Sequence, residues 1–150
     1  MKKQLAIFIY STMALLIIIA ALAYLIETHP FQPGSRFYNM QLTVETLSLE
    51  LIVNPVNRAQ RALHLAEYRL ADLAQADGRS RIQTAVSAFD AALNKAVLAI
   101  DRSPRAEQSG LYGRLAQLLR QADIIITAVE KSAYSDLVED LSQKITLLQT

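Results

Sequence analysis

The sequence predicts an all-α protein in which a single N-terminal transmembrane helix precedes an antiparallel up-and-down bundle of four, or five, helices. The first observation behind this prediction is an uncharged apolar run over residues 5–26. The second is a series of later segments whose apolar residues recur at alternating steps of three and four, the spacing of one helix face. The third is that short turns marked by Pro or Gly join these segments, which favours antiparallel neighbours.

The apolar run is long enough to cross a membrane. Residues 5–26 contain no charged residue, no side-chain amide, no Gly and no Pro. At about 1.5 Å per residue a helix of this length spans roughly 33 Å, which exceeds the ~30 Å hydrocarbon core of a bilayer. Residues 1–4 carry two lysines, whereas Lys and Arg do not recur after the run until Arg36. The positive-inside rule therefore predicts a single-pass cell-membrane protein with a cytoplasmic N-terminus and a periplasmic or extracellular C-terminal domain.

A cleaved signal peptide is the competing interpretation of the same run. Two lysines, an apolar stretch and the sequence Ala21, Leu22, Ala23 resemble an n-region, an h-region and a cleavage site. The apolar stretch continues to Ile26, however, and is longer than the ~7 to 15 residues of an ordinary h-region. We therefore expect an uncleaved anchor. Both interpretations place the domain outside the cytoplasm.

A linker and a first helix follow the anchor. Residues 27–35 contain two prolines and a glycine, which cannot continue the membrane helix and indicate a short linker. Residues 36–150 are predicted to form the helical bundle, beginning with a helix over residues 36–53. The apolar residues predicted to face the core from this first helix are Phe37, Met40, Val44, Leu47 and Leu51.

Proline and glycine mark the boundaries of the next two helices. Asn54 is predicted to cap a second helix over residues 55–76, with Pro55 at its first position and Gly78 just beyond its end. A third helix is predicted over residues 80–101. The core-facing residues predicted for these two helices are Val56, Ala59, Leu63, Ala66, Leu70 and Leu73, then Ile82, Val86, Phe89, Leu93, Ala96 and Ile100.

The C-terminal part of the pattern leaves two helix assignments open. Ser103 and Pro104 are the next predicted break and N-cap pair, and Gly110 and Gly113 weaken the start of the helix that follows. The pattern loses phase around residues 131–135, which indicates either one long kinked helix or a fourth helix and a short fifth. The apolar residues of this part are Leu111, Leu115, Leu118, Ala122, Ile125 and Val129, then Val138, Leu141, Ile145 and Leu148.

Composition argues against several function classes. The formal charge of the chain is +1, with both signs interspersed, whereas nucleic-acid phosphates require a concentrated basic face. The chain has no cysteine, which removes disulfides, thiolate zinc sites, iron–sulfur clusters and covalently attached haem. We therefore expect no nucleic-acid partner.

The titratable residues form no pattern typical of catalysis or metal binding. His29 and His64 are the two histidines, and no converging ligands surround either of them at helical spacing. Glu139 and Asp140 are adjacent in sequence and so point in different directions on a helix. We expect His64 to lie on a solvated helix edge, and we predict no catalytic, cofactor-binding or metal-binding residue, no cofactor and no small-molecule substrate.

Arginines of the second helix allow two interpretations. Arg58, Arg61 and Arg69 lie among Glu67 and Asp72, several of them at spacings of three or four. A solvent-exposed helix face with ion pairs is the first interpretation. The second is a contact with anionic lipid or with a partner protein, which the short linker favours.

One part of the chain resembles a known family. The residues that carry the resemblance are Pro33, Gly34 and Ser35, then Phe37, Tyr38, Glu45, Leu49, Pro55, Arg58, Ala59, Leu65, Ala66, Glu67, Arg69 and Leu70. Within residues 33–76 they are similar to an uncharacterised bacterial family of extracytoplasmic helical domains. The resemblance implies a domain that often follows a single membrane helix, and that occurs in some regulators of the anti-sigma type.

These observations favour a non-enzymatic accessory subunit that docks on and stabilises a larger membrane protein complex, such as a respiratory or photosynthetic electron-transfer complex. Its expected partners are the lipid bilayer and other membrane subunits, which contact the transmembrane helix and the bundle. An extracytoplasmic envelope sensor or regulator, related to anti-sigma-type proteins, is the alternative. An enzyme or ligand-binding bundle is the third hypothesis, and no convergent polar constellation supports it.

Overall fold

The structure is a computed structural model, and the part of the chain that it describes is almost entirely helical. The predicted N-terminal residues 1–4 and most of the predicted membrane segment, residues 5–26, lie outside that part. Among the described residues, no helix is both long enough and apolar enough to cross a membrane. The described residues are Tyr10, residues 12–14, Ile17, residues 31–132 and residues 134–149.

Five α-helices and one 3₁₀ turn follow residue 37 in the described part of the chain. They are α1 (Tyr38–Glu50), α2 (Pro55–Gln75), α3 (Arg79–Asp101), α4 (Arg105–Glu130), the 3₁₀ turn Ser135–Leu137 and α5 (Glu139–Gln149). The described residues contain no strand, so the all-α prediction is confirmed. The 3₁₀ turn separates α4 from α5, and the structure therefore has a fourth helix and a short fifth in place of one long kinked helix.

Helices α2 and α3 form the central antiparallel pair, and α1 lies against them. The Ser103 hydroxyl, just after α3, donates a hydrogen bond of 3.3 Å to the carbonyl oxygen of Pro55 at the start of α2. Tyr38 at the start of α1 reaches Asp72 near the end of α2, over 3.1 Å. These two contacts fix the antiparallel order of the three helices.

Helices α4 and α5 complete the bundle. Arg114 of α4 forms an ion pair of 2.9 Å with Glu67 of α2, so α4 runs along α2. Lys144 of α5 forms an ion pair with Asp90 of α3. The five helices therefore enclose one core, with α1 attached through α2.

The core follows the apolar pattern of α2, α3 and α4. Alanines on α2 and α3 have no side chain beyond Cβ, which lets these two helices approach closely. The stripes predicted for these three helices are confirmed, because their residues are buried or partly buried. The fully or nearly fully buried members are Ala59, Leu63, Ala66, Leu70, Leu73, Ile82, Phe89, Leu93, Ala96, Ile100, Leu111, Leu115, Leu118 and Ala122.

The helix predicted over residues 36–53 is present as α1, but the core face predicted for it was wrong. Phe37, Met40, Leu47 and Leu51 were expected in the core, but they are exposed. The buried residues of α1 are instead Tyr38, Gln41 and Leu49, so the helix presents a face rotated by about one residue from the predicted one. A polar contact between α1 and α2, described below, determines this rotation.

Helix ends follow the predicted signals at two of three boundaries. The Asn54 side chain accepts hydrogen bonds from the backbone N–H groups of Val56 and Asn57, as expected for an N-cap. Gly78 adopts φ of +83°, a conformation that glycine tolerates best. Ser103 was predicted to cap α4, but Pro104 occupies the N-cap position and the Ser103 hydroxyl bonds the carbonyl oxygen of Ala99.

We predict that Leu93→Ala lowers the free energy of unfolding by about 2–5 kcal/mol, because Leu93 is fully buried in the α2–α3 contact. Leu98→Ala on the same helix is the matched control, since Leu98 is 50% exposed. The control is expected to change stability by less than about 1 kcal/mol. Chemical denaturation of both variants measures the difference, and equal losses would contradict the described core.

Candidate functional site

Arg69 of α2 is buried in a polar cluster between α1 and α2. The prediction that Arg69 lies on a solvent-exposed face was wrong, since only 1% of the residue is accessible. Its two partners in ion pairs are Glu45 of α1 and Asp72 of α2. We call Tyr38, Gln41, Glu45, Arg69 and Asp72 the Arg69 cluster.

The geometry of the Arg69 cluster gives each carboxylate a cationic partner. The Arg69 Nη2 atom lies 2.5 Å from Oε1 of Glu45, and Nη1 lies 2.5 Å from Oδ2 of Asp72. The Tyr38 hydroxyl donates a hydrogen bond of 3.1 Å to the same Asp72 oxygen. The guanidinium carbon lies 5.1 Å from the centre of the Tyr38 ring, within the range of a cation–π contact.

Gln41 extends the Arg69 cluster to the chain that enters the bundle. Its Nε2 donates a hydrogen bond of 2.8 Å to Glu45, and its Oε1 accepts one of 2.9 Å from the backbone N–H of Phe31. The cluster thus joins α2, α1 and the residues that precede α1. The two carboxylates are committed to Arg69, which leaves neither as an evident general acid or base.

A small cavity adjoins the Arg69 cluster. It measures about 70 Å³, and α1, α2 and α3 all contribute to its wall. The Nε atom of Arg69 is buried and has no protein partner. A space of this size accommodates water but is far below the roughly 300–1,000 Å³ typical of ligand pockets. The lining of the cavity includes Leu65, Ala88 and Lys95 besides Arg69 and Glu45.

Burial dominates the ionisation of the Arg69 cluster. It raises the pKa of Tyr38 to about 12, although the adjacent Arg69 opposes the shift. Burial also raises the pKa of Asp72 above its usual range, and Arg69 again offsets part of this effect. Burial alone would lower the pKa of Arg69, but Glu45, Tyr38 and Asp72 together outweigh this effect, and the pKa is raised. Arg69 therefore stays charged.

An apolar stripe runs along the outer face of α1, from its N-cap Phe37 to its C-cap Leu51, and is largely exposed. We call Phe37, Met40, Val44, Leu47 and Leu51 the outer stripe. Their exposed fractions are 56% for Phe37, 41% for Met40, 56% for Leu47 and 80% for Leu51, and Val44 is partly buried. The Phe37 ring lies 5.4 Å from the ring of Phe31. This is the apolar face that the sequence assigned to the core.

The structure brings few of the other predicted polar residues together. His64 is exposed and lies 3.3 Å from Glu67, as expected for a solvated helix edge. Arg58 donates hydrogen bonds to the carbonyl oxygens of Ile52 and Glu50 and so caps the end of α1. No three His, Asp or Glu residues in the described part of the chain converge to hold a metal ion. The expected lack of a metal or catalytic site stays a prediction.

The spacing of residues along α2 and α1 contains a signal for the Arg69 cluster. Arg69 follows Ala62 and Ala66 by steps of seven and three, so it stands in the core register of α2. On α1, Tyr38, Gln41 and Glu45 also recur at steps of three and four. These polar residues form a second stripe, but the outer stripe is more apolar and therefore was taken as the buried one.

The fold and the Arg69 cluster define a small all-helical bundle domain. Residues 31–148 match the protein family described as a domain of unknown function, DUF5667, and the chain belongs to this family. No curated protein and no solved structure matches the chain. The expected membership of an uncharacterised family is confirmed, and the match extends from the resembling residues 33–76 through α5. The membrane and extracytoplasmic setting stays a prediction.

We predict that Arg69→Ala lowers the free energy of unfolding by about 3–5 kcal/mol, because it leaves Glu45 and Asp72 without their buried cation. Arg120→Ala, at an exposed position on α4, is the control and should change stability by less than about 0.5 kcal/mol. The triple variant Arg69→Met, Glu45→Gln, Asp72→Asn should recover much of the loss, since no unpaired charge remains. Denaturant unfolding that showed no difference between Arg69→Ala and the control would contradict the cluster.

We also predict that Tyr38 ionises only near pH 12. A pKa raised above the unfolded value of 10 stabilises the fold below pH 10, and this stabilisation of about 2–3 kcal/mol is lost between pH 10 and 12. Tyrosinate absorbance should show a group that titrates near pH 12, is absent in Tyr38→Phe and persists in the control Tyr112→Phe, although a hydrogen bond to the Asp101 carboxylate also raises the pKa of Tyr112. A Tyr38 that titrated near the unfolded value of 10 would show that its hydroxyl is not buried.

Proposed function

We propose that this protein is a non-enzymatic, single-pass membrane accessory subunit that docks on and stabilises a larger membrane protein complex. The observation that carries the proposal is the uncharged apolar run at residues 5–26, which is separated from the bundle by nine residues. The linker keeps the bundle near the membrane, on the side opposite the two N-terminal lysines.

The described side chains support a binding role for the bundle. The most deeply buried charged group, Arg69, is engaged with Glu45 and Asp72, and this pairing stabilises the fold. The outer stripe, in contrast, exposes large apolar side chains on the helix that follows the apolar run in the sequence. Exposed apolar surface of this kind marks contact sites more often than catalytic ones.

The composition of residues 5–26 suits lateral contacts within a membrane. The run consists mainly of Leu, Ile and Ala, and it contains no ionisable side chain except its two tyrosines. Small and hydroxyl residues such as Ala14, Ser11 and Thr12 allow close helix approach and hydrogen bonds between helices. A respiratory or photosynthetic electron-transfer complex, which carries its own cofactors, is one assembly that such a subunit would fit.

An envelope sensor or regulator is the second candidate function. The resemblance of residues 33–76 to domains found in anti-sigma-type regulators supports it. In that case the bundle would receive a signal outside the cytoplasm, and loss of the protein would alter transcription while every membrane complex stayed intact.

We expect the full chain, carrying a C-terminal tag, to comigrate with a much larger complex on a native gel of mildly solubilised membranes. Replacing residues 5–26 with an unrelated apolar helix of equal length should abolish the comigration, because specific helix contacts are lost while membrane insertion is kept. Gln117→Ala, at an exposed position on α4, is the control and should comigrate normally. Migration of the natural chain only as a monomer or homodimer would contradict the proposal.

A further inference from the structure

The outer stripe has the spacing of a coiled-coil seam. Its residues follow one another by steps of three, four, three and four, which is the repeat of the a and d positions of a heptad. Phe37, Val44 and Leu51 occupy a positions, and Met40 and Leu47 occupy d positions. A seam of this spacing fits a second helix laid along it, since knobs-into-holes packing requires that repeat.

Two charges at the ends of the seam indicate which helix fits. Arg36, in the turn before α1, and Glu50, the last residue of α1, stand at the g positions of this repeat, one residue before Phe37 and Leu51 respectively. Both are exposed, and neither forms an ion pair within the described part of the chain. Between them the remaining g position is held by Thr43, which is uncharged. The seam therefore carries a positive charge at its start and a negative charge at its end.

We propose that the outer stripe binds the outer stripe of a second copy of this chain, with the two α1 helices antiparallel. In the register that packs Phe37 against Leu47 of the second copy, Met40 packs against Val44 of that copy, and Leu51 lies beyond the paired segment at each end. The g positions then meet each other across the seam, as they do in antiparallel pairs. Arg36 lies beside Glu50 of the second copy at both ends, and Thr43 meets its own counterpart at the two-fold axis.

This pairing is isologous and closed, because the same surface serves both copies. A parallel pairing would instead place Arg36 beside Gln41 and would leave Glu50 without a cation. A groove of about 150 Å³ between Glu50, Leu98 and Arg102 adjoins the end of the seam and leaves room for the start of the other α1. The pairing involves only α1 and does not depend on whether residues 5–26 span a membrane.

Single-cysteine cross-linking tests the pairing, since the natural chain contains no cysteine. Each variant of the full chain is treated in intact expressing cells with a short bis-maleimide. Thr43→Cys should cross-link to a dimer, because the two residues lie about 3 Å apart along the helix axis. Phe37→Cys and Leu51→Cys should not, since their counterparts lie about 15 Å and about 27 Å apart along that axis. Gln117→Cys on α4 is the control for random collision.

Charge reversal tests the register independently. Arg36→Glu or Glu50→Arg alone turns both end pairs repulsive and should weaken the dimer about fivefold. The double variant Arg36→Glu, Glu50→Arg restores both pairs and should return the dimer to its natural level. Because these residues are exposed, the variants are expected to fold, and circular dichroism checks this.

Three outcomes would overturn the proposal. Equal cross-linking at residues 37, 43 and 51 would show a parallel pairing. Cross-linking at residue 43 no greater than at residue 117 would show that something else covers the stripe, whether lipid, another protein or residues 5–26 of the same chain. Weakening of the dimer by the double charge variant as well as by the single variants would show that Arg36 and Glu50 do not meet.

Discussion

The buried charge of Arg69 is the constraint on which the arrangement of α1 depends. Arg69 stands in the core register of α2, where its buried charge requires carboxylate partners within the protein. Asp72, three residues further on the same helix, supplies one carboxylate, and only α1 supplies the second, from Glu45. Without α1, Arg69 would keep only one of its two carboxylate partners and would be exposed. The charge of Arg69 therefore determines which face of α1 packs against α2.

This dependence explains why α1 differs from the other helices. On α2, α3 and α4 the buried face is apolar apart from Arg69, and the exposed face is mainly polar, which is the usual outcome of the hydrophobic effect. On α1 the buried face contains Tyr38 and Gln41, and the more apolar face points outward. The polar face of α1 contacts Arg69, whereas the outer stripe is largely exposed. A helix held in this way fixes the direction of an exposed apolar surface.

This difference between α1 and the other helices shows which parts of the fold could be predicted from the sequence. Helices α2, α3 and α4 could be predicted with their core residues, because one periodic signal dominated each segment and Asn54 and Gly78 marked its ends. Helix α1 carries two periodic stripes, and hydrophobicity alone chose the wrong one. The missing information was a pairing between residues 24 positions apart, Glu45 and Arg69, which local periodicity does not contain. The one available sequence signal for this pairing was that Arg69 follows core alanines of α2 at the spacing of the buried face.

The two faces of α1 compete within one copy. Burying the outer stripe would expose Tyr38 and Leu49, which are now buried, so the loss of their burial offsets part of the gain. Rotating α1 to achieve this would remove Glu45 from Arg69 and break a buried ion pair, at a loss of about 3–5 kcal/mol, besides the hydrogen bonds of Tyr38 and Gln41. In a single bundle Arg69 is paired and the apolar side chains of the outer stripe stay exposed. A second helix laid along the outer stripe would bury these side chains while Arg69 stays paired, so the outer face of α1 is a surface suited to binding.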